Sequence, residues 1–125
     1  ENAVGYVTDV CVPISKLAEC FLGAKEIVNN ATLPAPVFGH VGDGNFHVVF
    51  PLDPDSPAEL AEVTGYHQQL IDMALAVGGT CTGEHGIGLG KRKALEQEHG
   101  KAVTTMRQIK HALDPRNIMN PGKVV

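Results

Sequence analysis

The sequence predicts an α+β domain, a ferredoxin-like antiparallel sheet with helices packed on one face. Strand-like and helix-like segments alternate along the chain, one pair of apolar runs is joined by a tight turn, and the whole spans only 125 residues. That length suits one domain with an adequate core and excludes two full ones.

Residues 5 to 12 alternate Tyr6, Thr8, Val10 and Val12 against Val7, Asp9 and Cys11, the pattern of a strand that Pro13 ends. A helix follows, with Ser15 as N-cap, Leu17, Phe21, Ala24 and Val28 as its apolar stripe, and Asn29-Asn30 as its stop. Within residues 36 to 51, the runs before Gly42-Asp43-Gly44-Asn45 and after it read as a β-hairpin. Ser56-Pro57-Ala58-Glu59 is a capping box with proline in the first turn. It opens a helix whose buried face is Leu60, Val63, His67, Leu70, Ala74 and Val77, and Gly78-Gly79 closes it. Thr80 to Thr82 suits a short strand and Gly83 to Gly90 a glycine-rich loop. Residues 91–99 and 101–113 suit helices split at Gly100, with a turn-rich tail from Asp114.

Composition removes several function classes. Hydrophobic residues are 43% and charged residues 19%, with mean hydropathy −0.01, the profile of a soluble globular protein. No apolar run reaches the ~20 residues of a transmembrane helix. Glu1-Asn2-Ala3 has neither initiator Met nor a signal stretch, so we expect no secretion signal and a piece of a longer chain. Residues 1–90 carry two cations against eleven carboxylates, and residues 91–125 carry eight against three. The basic end suits a solvated helix face, and with pI near 5.8 and no interleaved aromatics nucleic-acid binding is not expected. Cys11, Cys20 and Cys81 are odd in number and lack CxxC spacing, which points to a reducing cytoplasm.

Chemistry concentrates in two segments. If Asp43-Gly44 are the central residues of a two-residue turn, His40 pairs with His47, and facing imidazoles can share an ion at about 2.0–2.1 Å from each nitrogen. In Thr82-Gly83-Glu84-His85-Gly86-Ile87-Gly88-Leu89-Gly90, four glycines bring a Glu-His dipeptide close to a ligand, and the segment matches neither the phosphate-binding loop nor GxGxxG. Glu84 then completes a two-histidine, one-carboxylate set with open positions. His85 points away from that set and is a candidate general base for the hydroxyl of a chelated 2-hydroxy acid. The plainer readings are packed or solvated histidines and a flexible connection. His67 is expected to pack, His99 and His111 to be solvated, and Lys91-Arg92-Lys93 to be an exposed helix start. The tail either wraps simply or aims Asn120 into a cleft.

These residues resemble the C-terminal domain of FAD-linked oxidases of the vanillyl-alcohol oxidase type, in the branch of D-lactate dehydrogenase and the glycolate oxidase flavin subunit. The segments that carry the resemblance are Thr8-Asp9-Val10-Cys11-Val12-Pro13, Gly39-His40-Val41-Gly42-Asp43-Gly44-Asn45-Phe46-His47, Thr82-Gly83-Glu84-His85-Gly86-Ile87-Gly88, and the tail from Leu113-Asp114-Pro115 to Asn120-Pro121-Gly122-Lys123. The match runs nearly end to end.

The resemblance implies His40, His47 and Glu84 as ligands of a divalent metal such as zinc, manganese or iron, His85 as general base, and Asn120 near the flavin. It implies a cap over an FAD-binding domain that precedes residue 1, so that this chain alone is expected to be inactive. The substrate is then a small 2-hydroxy acid, and the electron acceptor a protein or quinone. Peripheral membrane association and an oligomer remain open. Enzymes of the group that act on longer hydroxy diacids carry a polar residue two after the second histidine. Val49 stands there, which leans toward D-lactate or glycolate. Against this flavoenzyme stand two rivals, a zinc hydrolase built on the same residues and a metal-binding or interaction module without activity.

Overall fold

A computed structural model describes residues 3–125. The chain divides into two compact units, one ending at Glu84 and one from His85 to Val125.

The first unit holds β1 (Val4–Val7), β2 (Val10–Cys11), α1 (Ile14–Asn29), β3 (Val37–His40), β4 (Asn45–Leu52) and α2 (Pro57–Ala76). The strand expected over residues 5–12 is thus two. Both pieces pair antiparallel with β4 in one continuous register, from Val4 opposite Leu52 to Cys11 opposite Asn45, and the ladder is interrupted only at Thr8-Asp9. On its other edge β4 pairs with β3. Thr80 adds a single antiparallel bridge to Cys11, all that forms of the strand expected over 80–82. The order of elements, strand–helix–strand–strand–helix–bridge, is that of an α+β, ferredoxin-like sandwich.

Alternation along β4 decides which face takes the helices. Phe46, Val48, Phe50 and Leu52 are buried on one side. There Phe46 meets Phe21 of α1 edge to face, and Phe50 stacks on Tyr66 of α2. Each such aromatic contributes about 1.5–3 kcal/mol by leaving water. Asn45 and His47 project to the opposite face, which these helices leave uncovered.

α1 starts one residue earlier than its expected cap: Pro13 is the N-cap and Ser15 lies inside the first turn, because proline's fixed φ of −51° already sets the helix entry. Leu17, Cys20 and Ala24 form its buried stripe. In α2 the Ser56 hydroxyl accepts from the Glu59 N–H as the capping box requires, but the Glu59 carboxylate turns to the Asp53 N–H at 2.8 Å. Leu60 stays 45% exposed, and the buried face is Val63, His67, Leu70, Ile71 and Ala74. His67 packs as expected, its Nδ1 2.9 Å from the Tyr6 hydroxyl.

The second unit carries α3 (Arg92–His99) and α4 (Ala102–Leu113), divided at Gly100, whose φ of +51° favours glycine. In its tail, buried Asp114 accepts from the N–H groups of Ile118 and Met119 and from Lys110 Nζ.

Candidate functional site

The hairpin loop is four residues long, Val41 to Gly44, with a turn closed by the Asp43 N–H on the His40 carbonyl at 2.9 Å. His40 therefore pairs with Asn45, and Phe38 with His47, so the expected His40–His47 pairing is corrected by two positions. Gly44 causes the difference. Its φ is +76°, its carbonyl accepts from the Val12 N–H at 2.9 Å, and a Cβ there would lie 2.1 Å from the Val12 oxygen. The loop is pinned to the neighbouring strand and cannot tighten. An even shift leaves every side chain on its face. His40 and His47 accordingly remain neighbours, now diagonal, on the face opposite the helices.

His47 is held hard and His40 loosely: their side chains are 4% and 61% exposed. His47 Nδ1 lies 3.0 Å from the Thr8 carbonyl. A carbonyl only accepts, so Nδ1 carries a proton, and Nε2 is the ring nitrogen left to face Glu84. Thr8 can spare that carbonyl because its own Oγ1 accepts the Val48 N–H at 2.8 Å, taking over a ladder bond. This substitution is the break between β1 and β2.

Glu84 reaches the same face from the segment after the Cys11–Thr80 bridge. Buried Asp9 accepts from Thr82 Oγ1 at 2.8 Å and from the N–H groups of Gly83 at 2.9 Å and Glu84 at 3.2 Å. At Gly83 a Cβ would stand 2.0 Å from Asn45 Nδ2, so any other residue there must displace that side chain. Glu84 Oε1 then lies 3.0 Å from His47 Nε2 and 3.4 Å from His40 Nε2.

One ligand atom from each of His40, His47 and Glu84 falls within 4.8 Å of the others. Two donors each about 2.1 Å from one ion and 90–110° apart are themselves about 3.0–3.4 Å apart. The Glu84–histidine separations have that spacing, and a carboxylate oxygen this close to an imidazole nitrogen needs a cation or a proton between them. By donor chemistry and by distance, the three residues fit a divalent ion.

His85 opens the second unit and is exposed, directly after Glu84 in the chain. Asn120 is exposed in the tail with φ +45°. Lys93 and Arg92 are exposed at the start of α3, and Arg92 Nη1 donates to the Gly122 carbonyl at 3.3 Å. His99 and His111 are exposed, as expected.

The residues that sequence reasoning left without a role are Thr8, Asp9 and Asn45. Asn45 Nδ2 donates to Asp9 Oδ1 at 3.2 Å, tying β4 to the same carboxylate that holds the Glu84 segment. A signal was available, because aspartate is depleted from strands and its place between Thr8 and Val10 breaks an otherwise regular strand.

Comparison with known proteins gives the chain's family. The family model described as FAD linked oxidases, C-terminal domain, matches residues 1–124. A probable mitochondrial D-lactate dehydrogenase of Danio rerio is 50% identical over 121 residues, covering 96% of this chain and 24% of that protein. The mitochondrial D-lactate dehydrogenase [cytochrome] of Arabidopsis thaliana is 47% identical over 95% of this chain and 21% of its own length. Glycolate oxidase subunit GlcD of Bacillus subtilis is 37% identical over 93% of this chain and 25% of its own. The chain thus spans about a quarter of the length of these relatives. It belongs to the FAD linked oxidases, as their C-terminal domain.

Proposed function

We propose that this chain is the substrate-side cap of an FAD-dependent dehydrogenase or oxidase of small 2-hydroxy acids, of the D-lactate or glycolate class. The observation that carries the reading is the convergence of His40, His47 and Glu84 within 4.8 Å, in a chain of this family. These three would hold a divalent cation, zinc, manganese or iron, which when bound supplies Lewis acidity toward a hydroxy acid. FAD, held mainly by a domain upstream, supplies the hydride acceptor when bound.

The chain's own residues orient and deprotonate. The Thr8 carbonyl fixes the His47 tautomer, and Asp9 fixes the backbone that presents Glu84. His85 removes the proton of the substrate hydroxyl, a task that suits a neutral imidazole near physiological pH. Asn120 would lie beside the flavin. Val49, half-buried and two residues beyond His47 on the same face, favours a small monoacid. Electrons then pass to a protein or quinone.

Among the described residues, no helix is long and apolar enough to cross a membrane. Among the described residues, Cys11, Cys20 and Cys81 form no disulfide.

The test uses the whole protein under anaerobic conditions. D-lactate or glycolate should bleach its flavin absorbance, and His85→Asn should slow bleaching by about 10²–10⁴-fold. Bleaching at the wild-type rate in both His85→Asn and Glu84→Gln would refute the proposal.

A further inference from the structure

Burying a carboxylate in a strand is costly unless its lone pairs are filled, and Asp9 is fully buried with donors arriving from two separate segments. Asn45 Nδ2 comes from β4, the strand that carries His47. Thr82 Oγ1 and the N–H groups of Gly83 and Glu84 come from the segment that carries Glu84. In the continued register of β1 and β2, Asp9 stands opposite His47, and its Oδ1 is 3.7 Å from His47 Nδ1. One carboxylate therefore sets the gap between the histidine strand and the glutamate segment, while the preceding Thr8 carbonyl orients His47.

We propose that Thr8-Asp9, the interruption between β1 and β2, is the positioning element of the cation site, with Asp9 as the positioning residue for Glu84. This rests on the reading of Glu84 as a ligand. A carboxylate is needed because its two oxygens serve four donors. An amide at position 9 keeps the shape but has one accepting oxygen where the carboxylate has two, so it cannot accept from both Asn45 Nδ2 and the Gly83 and Glu84 N–H groups. Gly83 makes the arrangement close-fitting, since a Cβ there would also meet Asp9 Oδ1 at 2.9 Å.

The experiment titrates the protein with Co²⁺, followed by visible absorption and by chelator competition, in wild type, Asp9→Asn, Glu84→Gln and the double variant. Asp9→Asn should weaken Co²⁺ binding about 10–100-fold and change the cobalt spectrum at temperatures where the variant is folded. The double variant should bind no more weakly than Glu84→Gln alone, because both act through one ligand. Without any ion, Asp9→Asn should move the ring ¹⁵N signals of His40 and His47 in the direction that Glu84→Gln moves them.

A folded Asp9→Asn protein with wild-type Co²⁺ affinity, spectrum and ring signals would overturn the proposal. If that variant does not fold, Thr82→Val removes a single donor, and binding weakened about 2- to 10-fold is expected; unchanged binding overturns the proposal. Should wild type bind no Co²⁺, the ligand reading falls, and the ion-free ring signals alone decide whether Asp9 presents Glu84. A shift like that of Glu84→Gln supports it, and no shift sinks it.

Discussion

The imidazoles of His40 and His47 meet edge to face with ring centroids 6.0 Å apart, although the two residues lie diagonally across the hairpin and not opposite each other. Their environments differ sharply, and so should the consequences of losing them. His40→Ala removes an exposed side chain and should lower the thermal midpoint little while weakening cation binding. His47→Ala also empties a buried site and strips the Thr8 carbonyl of its donor, for a further loss of about 1–3 kcal/mol. Thermal melts with elemental analysis of the same samples separate the two effects.

Glycines of the Glu84 segment should not be equally replaceable. Gly83→Ala drives a Cβ to 2.0 Å from Asn45 Nδ2 and 2.9 Å from Asp9 Oδ1, so it should cost about 1–3 kcal/mol and displace Glu84. Gly86→Ala meets nothing within 4 Å and pays only for its φ of +72°, about 1–2 kcal/mol, with no change in cation affinity at Glu84. Denaturant unfolding beside Co²⁺ titration gives both numbers, and equal loss of affinity in the two variants would contradict the packing argument.

Acid should weaken the tail of the second unit through Asp114. The Lys110 ammonium hydrogen-bonded to Asp114, helped by the Ile118 and Met119 N–H groups, lowers its carboxyl to about 2. A carboxyl depressed in the folded state contributes stability that is fully present above its ordinary pKa of about 3.9 and fades as pH falls toward 2. Asp114→Asn should therefore unfold at lower denaturant than wild type at pH 7, with the gap closing between about pH 4 and pH 2. A gap that stays constant with pH would assign the loss to packing.

Base should act through Tyr6. Burial raises its phenol above the ordinary value of 10.0, so the neutral form is favoured in the folded chain. That contribution is complete below about pH 10 and is lost as pH rises through the folded pKa. Tyr6→Phe, which also gives up the 2.9 Å bond to His67, should cost about 1 kcal/mol at pH 7 and flatten the alkaline limb of the stability profile. Ultraviolet titration of the phenolate in wild type checks the direction.

Substrate length should respond to position 49. Replacing Val49 with Asn places an amide two residues beyond His47 on the same face, and the ratio of kcat/KM for a hydroxy diacid over D-lactate should rise by about tenfold or more in the whole protein, the worth of one good hydrogen bond to a charged group. An unchanged ratio would remove Val49 from the specificity argument.

Phe46, Val48 and Phe50 face the helices and His47 the other side, as a period of two requires once one face is buried. Register was not legible, because loop length depends on what the loop touches. Gly44 is tied to Val12, thirty-two positions away, and that tertiary bond overrides the local preference of Asp-Gly for a two-residue turn. Since the error was even, the candidate residues still converged. Periodicity did not mark Thr8 and Asp9 either, and only the presence of an aspartate in a strand pointed to them. In the pattern they continue a strand, while their function depends on the backbone leaving the ladder there, an exchange of hydroxyl for carbonyl that no periodicity records.

The burial contrast within the triad also bears on how samples are handled. His47 faces protein, whereas Glu84 is 48% and His40 61% exposed, so two of the three donors can swing into solvent without disturbing the sheet. An ion seated there should exchange quickly with the surrounding buffer and be stripped by chelators at temperatures far below unfolding. The element recovered after purification would then report the last solution the protein met, and only loading under defined competition would reveal its preference.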